Sequence, residues 1–304
     1  MRSASLLGAA MLASLWQVQP ARAEPPACAD LARRWEATRA DLAPPQVNAL
    51  LFNASDAGCE TLAATLLTAG ASTLAKDRFG NAPLAHAARE GRVAVLALLL
   101  DHGAEIDHRN IAGSTALFVA IERGHADAAG FLLDHGADPT LPGRSGASPL
   151  AAAAFTGDDA VAAALLAHGA DPRAADGTGK TPIVYAAGRA AGPVVARLLA
   201  AGVAVDTRYE NDLTVLMWAA GHADDAAEAD GAALVGDLLA RGARVDDTDN
   251  RGRTALMIAA ERGHAAVARV LLAHGAASGL RDMAGKSALD LAANVAVRQV
   301  LTPG

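Results

Sequence analysis

The chain is poor in aromatic residues and cysteines and has no hydrophobic run long enough to span a bilayer. Aromatics make up 3% of its 304 residues, so flat side chains on which nucleobases or sugar rings stack are scarce. Only two cysteines occur, Cys28 and Cys59. The most extended apolar stretch, Leu6 to Trp16, is about half of what crosses a membrane, so no span is expected. The nucleophile elbow G-x-S-x-G is missing, and so is the ordered oxygen spacing of an EF-hand.

Hydrophobic residues nevertheless make up 52% of the chain. Much of this is alanine, which suits short helices stacked through small contacts. Gly80, Gly113, Gly146 and Gly179 follow one another at intervals of 33; the next interval lands on Asp212, and Gly252 and Gly285 resume after one step of 40. Each opens the same phrase, seen in Ala82-Pro83-Leu84, Thr115-Ala116-Leu117, Ser148-Pro149-Leu150, Thr181-Pro182-Ile183, Thr214-Val215-Leu216, Thr254-Ala255-Leu256 and Ser287-Ala288-Leu289. A Leu-Leu-x-x-Gly phrase keeps the same beat, ending at Gly70, Gly103, Gly136, Gly169, Gly202, Gly242 and Gly275. Hydroxyl side chains at the first phrase cap a helix N-terminus. A glycine after the paired leucines closes a helix in the left-handed region. Each unit therefore reads as turn, helix, turn, helix, and the fixed period marks a solenoid.

These phrases resemble the ankyrin repeat, whose T-P-L-H-x-A, G-H and L-L-x-x-G-A motifs recur here, with Gly124-His125 and Gly263-His264 supplying the middle one. The likeness runs from about Pro45 to Leu301. It implies an all-α solenoid of helix-turn-helix units with β-hairpin or turn connections, seven repeats and a truncated eighth. The motif's histidine is replaced at every unit, by Ala85, Phe118, Ala151, Val184, Met217, Met257 and Asp290. That loss puts in question the hydrogen bonds it makes between neighbouring turns. Expected divisions are a signal peptide (1–23), a leading helix and linker (24–44), a capping repeat (45–79), the repeats (80–284) and a truncated cap (285–304).

Arg2, the apolar stretch after it and Ala21-Arg22-Ala23 read as an export signal with its cleavage site. An ankyrin chain of this composition without an anchor resembles a periplasmic bacterial protein, with extracellular release as the alternative. In an oxidising compartment Cys28 and Cys59 are expected to pair, pinning the leading helix over the end of the stack; two thiols are the alternative.

Several motifs dissolve into the repeat register. Ala174 to Thr181 fits the loose form of a phosphate-binding loop, but that chemistry needs a strand feeding the loop, and these positions are a repeat turn; Lys180 is not expected to hold nucleotide. His102, His135, His168 and His274 precede closing glycines, where an imidazole serves the last carbonyls of a helix. The seven extra residues of the long unit fall within Gly221 to Gly231 beside His222, Asp224, Asp225, Glu228 and Asp230, and read as a solvated acidic loop. No cofactor, metal or catalytic residue is expected, and almost nothing lies outside the repeats to form a catalytic domain.

The formal charge is −7, and −9 once Arg2 and Arg22 leave with the signal. The family resemblance implies 40 partner-facing positions on the concave side, at the turns and the ends of the first helices. Fourteen are basic and four acidic, a net of +10, against −19 for the remainder of the mature chain. The basic positions are Lys76, Arg78, Arg89, Arg109, Arg123, Arg144, Lys180, Arg189, Arg208, Arg251, Arg253, Arg262, Arg281 and Lys286; Phe79, Ile111, Phe155 and Leu213 are apolar positions of the same surface. The resemblance thus implies a non-enzymatic, monomeric scaffold for a protein partner with an acidic surface, or an inhibitor or immunity-type protein. A ligand-binding protein or enzyme using the 221–231 insertion is the other class. Nucleic acid is not expected, because aromatic residues do not interleave with the basic ones.

Overall fold

The computed structural model describes residues 25–302; the expected signal peptide lies outside them. A leading helix, α1 (Pro26–Thr38), precedes eight helix pairs. These are α2 (Pro44–Ala57) with α3 (Glu60–Thr68), α4 (Pro83–Arg89) with α5 (Val93–Asp101), α6 (Ala116–Glu122) with α7 (Ala126–Asp134), and α8 (Pro149–Thr156) with α9 (Asp159–Ala167). They continue as α10 (Pro182–Gly188) with α11 (Gly192–Ala200), α12 (Val215–Ala220) with α13 (Glu228–Ala240), α14 (Ala255–Arg262) with α15 (Ala265–Ala273), and α16 (Ala288–Leu291) with α17 (Val295–Leu301). First helices pack on first helices and second on second, giving two parallel rows. The final α17 is a seven-residue helix, more than the stub expected of a truncated unit.

The repeat phrases acquire physical causes. The first leucine of every Leu-Leu pair from Leu99 to Leu271 has no exposure, as in Leu132, Leu165, Leu198 and Leu238. Each such burial contributes roughly 1.5–3 kcal/mol before entropy is counted. Leu84, Leu117, Leu150, Ile183, Leu216 and Leu256 are buried in the same way in the first row. The closing glycines all take positive φ, from 79° at Gly103 to 96° at Gly70. Thr115, Ser148, Thr214, Thr254 and Ser287 accept the backbone N–H three residues on, as caps should; Thr181 does not.

The connections are tight turns without strands among the described residues, and a single antiparallel bridge pairs Arg208 with Thr214. An aspartate three residues before the anchor glycine holds most of them. The Asp77 carboxylate accepts the N–H groups of Phe79 and Asn81 at 2.7 and 2.9 Å, and Asp176, Asp249 and Asp282 repeat the pattern. Burial alone would raise the Asp77 carboxyl; the hydrogen bonds from Asn81 and Phe79, with His86 nearby, outweigh it and hold it below the usual range. Where this residue is Gly143 or Tyr209, the turn becomes a 3₁₀ segment, and Ser145, Asn211 and Asp212 take positive φ.

Turn-to-turn bonding survives loss of the motif's histidine. The backbone supplies it at Ile111 N–H to Phe79 O, 3.0 Å, Asn250 to Asn211, 3.0 Å, and Met283 to Arg251, 2.9 Å. Side chains add Asn110 to Asn81 and the Arg109 guanidinium to Pro142 O. At the leading end, Cys28 and Cys59 form a disulfide with Cα atoms 5.3 Å apart. Both cysteines are buried, and α1 is thereby fastened across α2 and α3. A loop with 31 residues of separation corresponds to roughly 3–4 kcal/mol of chain-entropy stabilisation.

Candidate partner-binding face

The turns and the first-helix row together form one face, called the inner face below. It carries all the basic positions singled out from the sequence, but the structure divides them. Six lie within ion-pair distance of a carboxylate of the same chain. Arg89 meets Asp56 at 2.8 Å, Arg144 meets Glu122 at 2.7 Å, Arg189 meets Asp225 at 2.7 Å, Arg208 meets Asp247 at 3.3 Å, Arg253 meets Asp249 at 2.9 Å, and Arg281 meets Asp290 at 3.3 Å. Arg253 also reaches Glu261 at 2.9 Å. The Asp225 carboxyl is held below its ordinary range first by its hydrogen bonds from Arg189.

Two arginines act as clips between turns. Arg109 donates to Gly113 O at 2.8 Å and to Pro142 O at 2.9 Å; Arg208 donates to Asp212 O at 3.1 Å and Thr248 O at 2.8 Å. Their planar forks replace hydrogen bonds that the turns lack. Lys76, Arg78, Arg123, Lys180, Arg251, Arg262 and Lys286 meet no carboxylate among the described residues. Of these, Arg78 lies over the Phe79 ring at 4.6 Å and Lys180 faces the Trp218 ring at 5.9 Å. The outward charge is therefore smaller than the positional count of +10.

The apolar positions divide too. Phe79, Ile111 and Phe155 are exposed by 54%, 79% and 53%, whereas Leu213 is packed against the core. Sequence reasoning passed over Tyr185 and Trp218, which stand six residues after their anchors on α10 and α12 and are partly buried in the same row. The Tyr185 hydroxyl donates to Asp176. Burial, then that bond and the carboxylate's charge, push it up to about 12.

Lys180 sits in the Asp176 turn, its N–H donating to the Asp176 carboxylate at 3.1 Å and its carbonyl accepting from Asp176 N–H at 2.9 Å. No strand precedes it among the described residues. The imidazoles of His102, His135, His168 and His274 lie 2.7–2.9 Å from carbonyls four residues earlier, as helix-end histidines should.

The insertion keeps Asp224, Asp225, Glu228 and Asp230 exposed, as expected of a solvated acidic loop, and it is also a clasp. Its latter part extends α13 to 13 residues. Ala223 N–H donates to Gly188 O at 2.8 Å, Asp225 pairs with Arg189, and the Glu228 carboxylate accepts from Ala266 N–H at 2.6 Å. The segment is tied to the units on both sides. His222 is buried and stacks on His264, ring centroids 4.1 Å apart, and Gly231 leaves its ring room that a Cβ would fill. Burial foremost, and then His264, lower the His222 pKa, outweighing the opposite effects of Ala223 O, Glu228 and Asp224.

The same architecture is found in known proteins. No curated protein matches the chain. Among solved structures it is similar to the human ASB11 ankyrin repeat domain, at 31% identity and a TM-score of 0.65, over 73% of this chain and 96% of that one. Models described as ankyrin repeats match residues 50–143, 149–229 and 238–292. With helix pairs, turn phrases and buried leucines falling in register across that span, the chain belongs to the ankyrin repeat family.

Proposed function

We propose that the protein is an exported, monomeric scaffold that binds an acidic protein partner along its inner face. Ankyrin repeats serve as protein-interaction scaffolds and are generally non-enzymatic. The observation that carries the finer reading is the set of inner-face cations with no carboxylate partner, together with exposed Phe79, Ile111 and Phe155. Apolar anchors ringed by charge are how interfaces combine affinity with steering. Export to the periplasm or beyond is supported by the Cys28–Cys59 disulfide, a bond that persists in oxidising compartments. An inhibitor would use the same face.

Charge reversal tests this reading where it does not disturb the turns. Arg123→Glu, Arg251→Glu and Arg262→Glu combined alter three exposed side chains that brace nothing. The control reverses Arg34, Arg269 and Arg298, exposed elsewhere. The inner variant is expected to lose partner binding, with the wild-type interaction weakening as salt screens it over about 8 Å at physiological strength. Equal loss in both variants would leave net charge, not a face, as the explanation.

A further inference from the structure

The position six residues after each anchor lies on the first helix and carries a sizeable side chain in all but one unit: His86, Val119, Tyr185, Trp218, Ile258 and Leu291. The exception is Ala152, in the middle of the stack. With Ala151 beside it, α8 leaves a dent of about 290 Å³ in the inner face. Phe118 forms one wall, buried to 2% with its ring filling the place a Cβ would take at Gly143. Phe155 and Tyr185 form the other, edge to face with ring centroids 6.2 Å apart. Tyr185 is held by Asp176, so that wall is set before anything binds.

The floor is apolar, and the rim carries Arg144 with its partner Glu122, next to Arg189, which pairs with Asp225. Arg144 reaches Glu122 at 2.7 Å but keeps 70% of its side chain exposed; the Arg189 guanidinium lies 5.2 Å from the Phe155 ring centre. Arg123 follows Glu122 without a carboxylate of its own. A volume at the lower bound of small-molecule pockets suits one large side chain. An exposed phenylalanine beside it is surface that association would cover.

Building on the inner-face reading, we propose that this dent is the partner's anchor point: it takes a single aromatic side chain presented by an acidic stretch of polypeptide, whose carboxylates meet unpaired Arg123 and the exposed face of Arg144. The aromatic ring enters between Phe118 and the Phe155–Tyr185 wall, where offset and edge-to-face contacts are favourable. Specificity follows from the missing side chain at Ala152, where the flanking units place Val119 and Tyr185.

The test uses the full mature chain and two synthetic peptides of aspartates and glutamates, one with a central phenylalanine and one with alanine there. Binding is followed by the methyl NMR signals of Ala151 and Ala152. The phenylalanine peptide is expected to shift them saturably and to bind about tenfold more tightly than the alanine peptide, the scale of a modest aromatic anchor. Ala152→Leu, which fills the dent, should remove that advantage while leaving the weak, salt-sensitive association of the alanine peptide. Phe155→Ala, which removes a wall without adding bulk, should remove it as well. Equal affinities of the two peptides, or an undiminished advantage in Ala152→Leu, overturn the dent while leaving the inner face standing if the Arg123, Arg251 and Arg262 reversal still weakens both. No binding of the phenylalanine peptide overturns the proposal; loss of all charge dependence removes the inner-face reading with it.

Discussion

The units anchored at Gly80, Gly113 and Gly179 differ instructively from the unit anchored at Asp212. In the former, an Asp or Asn side chain holds the turn and glycine supplies the left-handed φ. In the latter, Tyr209 stands where the holding side chain would be, Asn211 and Asp212 take φ of 61° and 60°, and Arg208 spans to Thr248. The insertion then adds ties to both neighbours. Both regions retain the buried leucines. A repeat can therefore lose its local turn chemistry and stay in the stack, provided side chains that bridge to adjacent units take over the bonding.

The shared core offers the largest expected effect. Leu165→Ala in a regular pair and Leu238→Ala in the irregular one should each cost about 2–5 kcal/mol in denaturant unfolding. Similar losses would mean that the irregular unit packs by the same rule; a much smaller loss at Leu238 would mean that its clasp carries the packing instead.

Acid should separate the two regions next. His222 has a folded pKa below its ordinary value of about 6.5, set first by burial. The unfolded chain therefore binds a proton more readily, so this group's contribution is full above the ordinary value and is lost as pH falls through the folded one. Hydrogen-exchange protection across Gly221–Gly231, corrected for the intrinsic rate at each pH, should fall on acidification ahead of the regular units. His222→Phe, which removes the proton site but keeps a flat ring, should flatten that response. An unchanged pH profile in this variant would assign the sensitivity to another group.

The smallest effect sharpens the comparison from the opposite side. Asp212→Gly should stabilise by about 0.5–1 kcal/mol, because it removes a left-handed strain that glycine does not carry. Ala190→Gly should do the same: Ala190 has φ 54° where Gly91, Gly124, Gly157 and Gly263 occupy the equivalent place. Thermal melting decides between this and a loss.

Most of the scaffold was legible in the sequence, and less of the candidate site. Spacing alone implied two helices in every unit, because helix starts, helix ends and paired leucines repeat on one period, and the structure places them as in Pro83–Arg89 with Val93–Asp101. The arginine roles were hidden. Arg189 finds Asp225 across 36 residues and Arg208 finds Thr248 across 40, pairings that depend on which side chains of adjacent units reach each other. The dent was hidden for a related reason, being made by the smallness of Ala151 and Ala152 and not by any residue that announces chemistry. Aligning the units and comparing side-chain size at Ala152 with Tyr185 and Trp218 is the signal that finds it.

Photo-crosslinking tests the central claim most directly. A benzophenone amino acid replaces Arg123 or Arg251 on the inner face in one pair of proteins, and Asp127 or Arg269 on the second helices in another, each expressed in the native compartment. The account predicts partner adducts from positions 123 and 251 and none from 127 and 269. Adducts from the second-helix positions alone would contradict it.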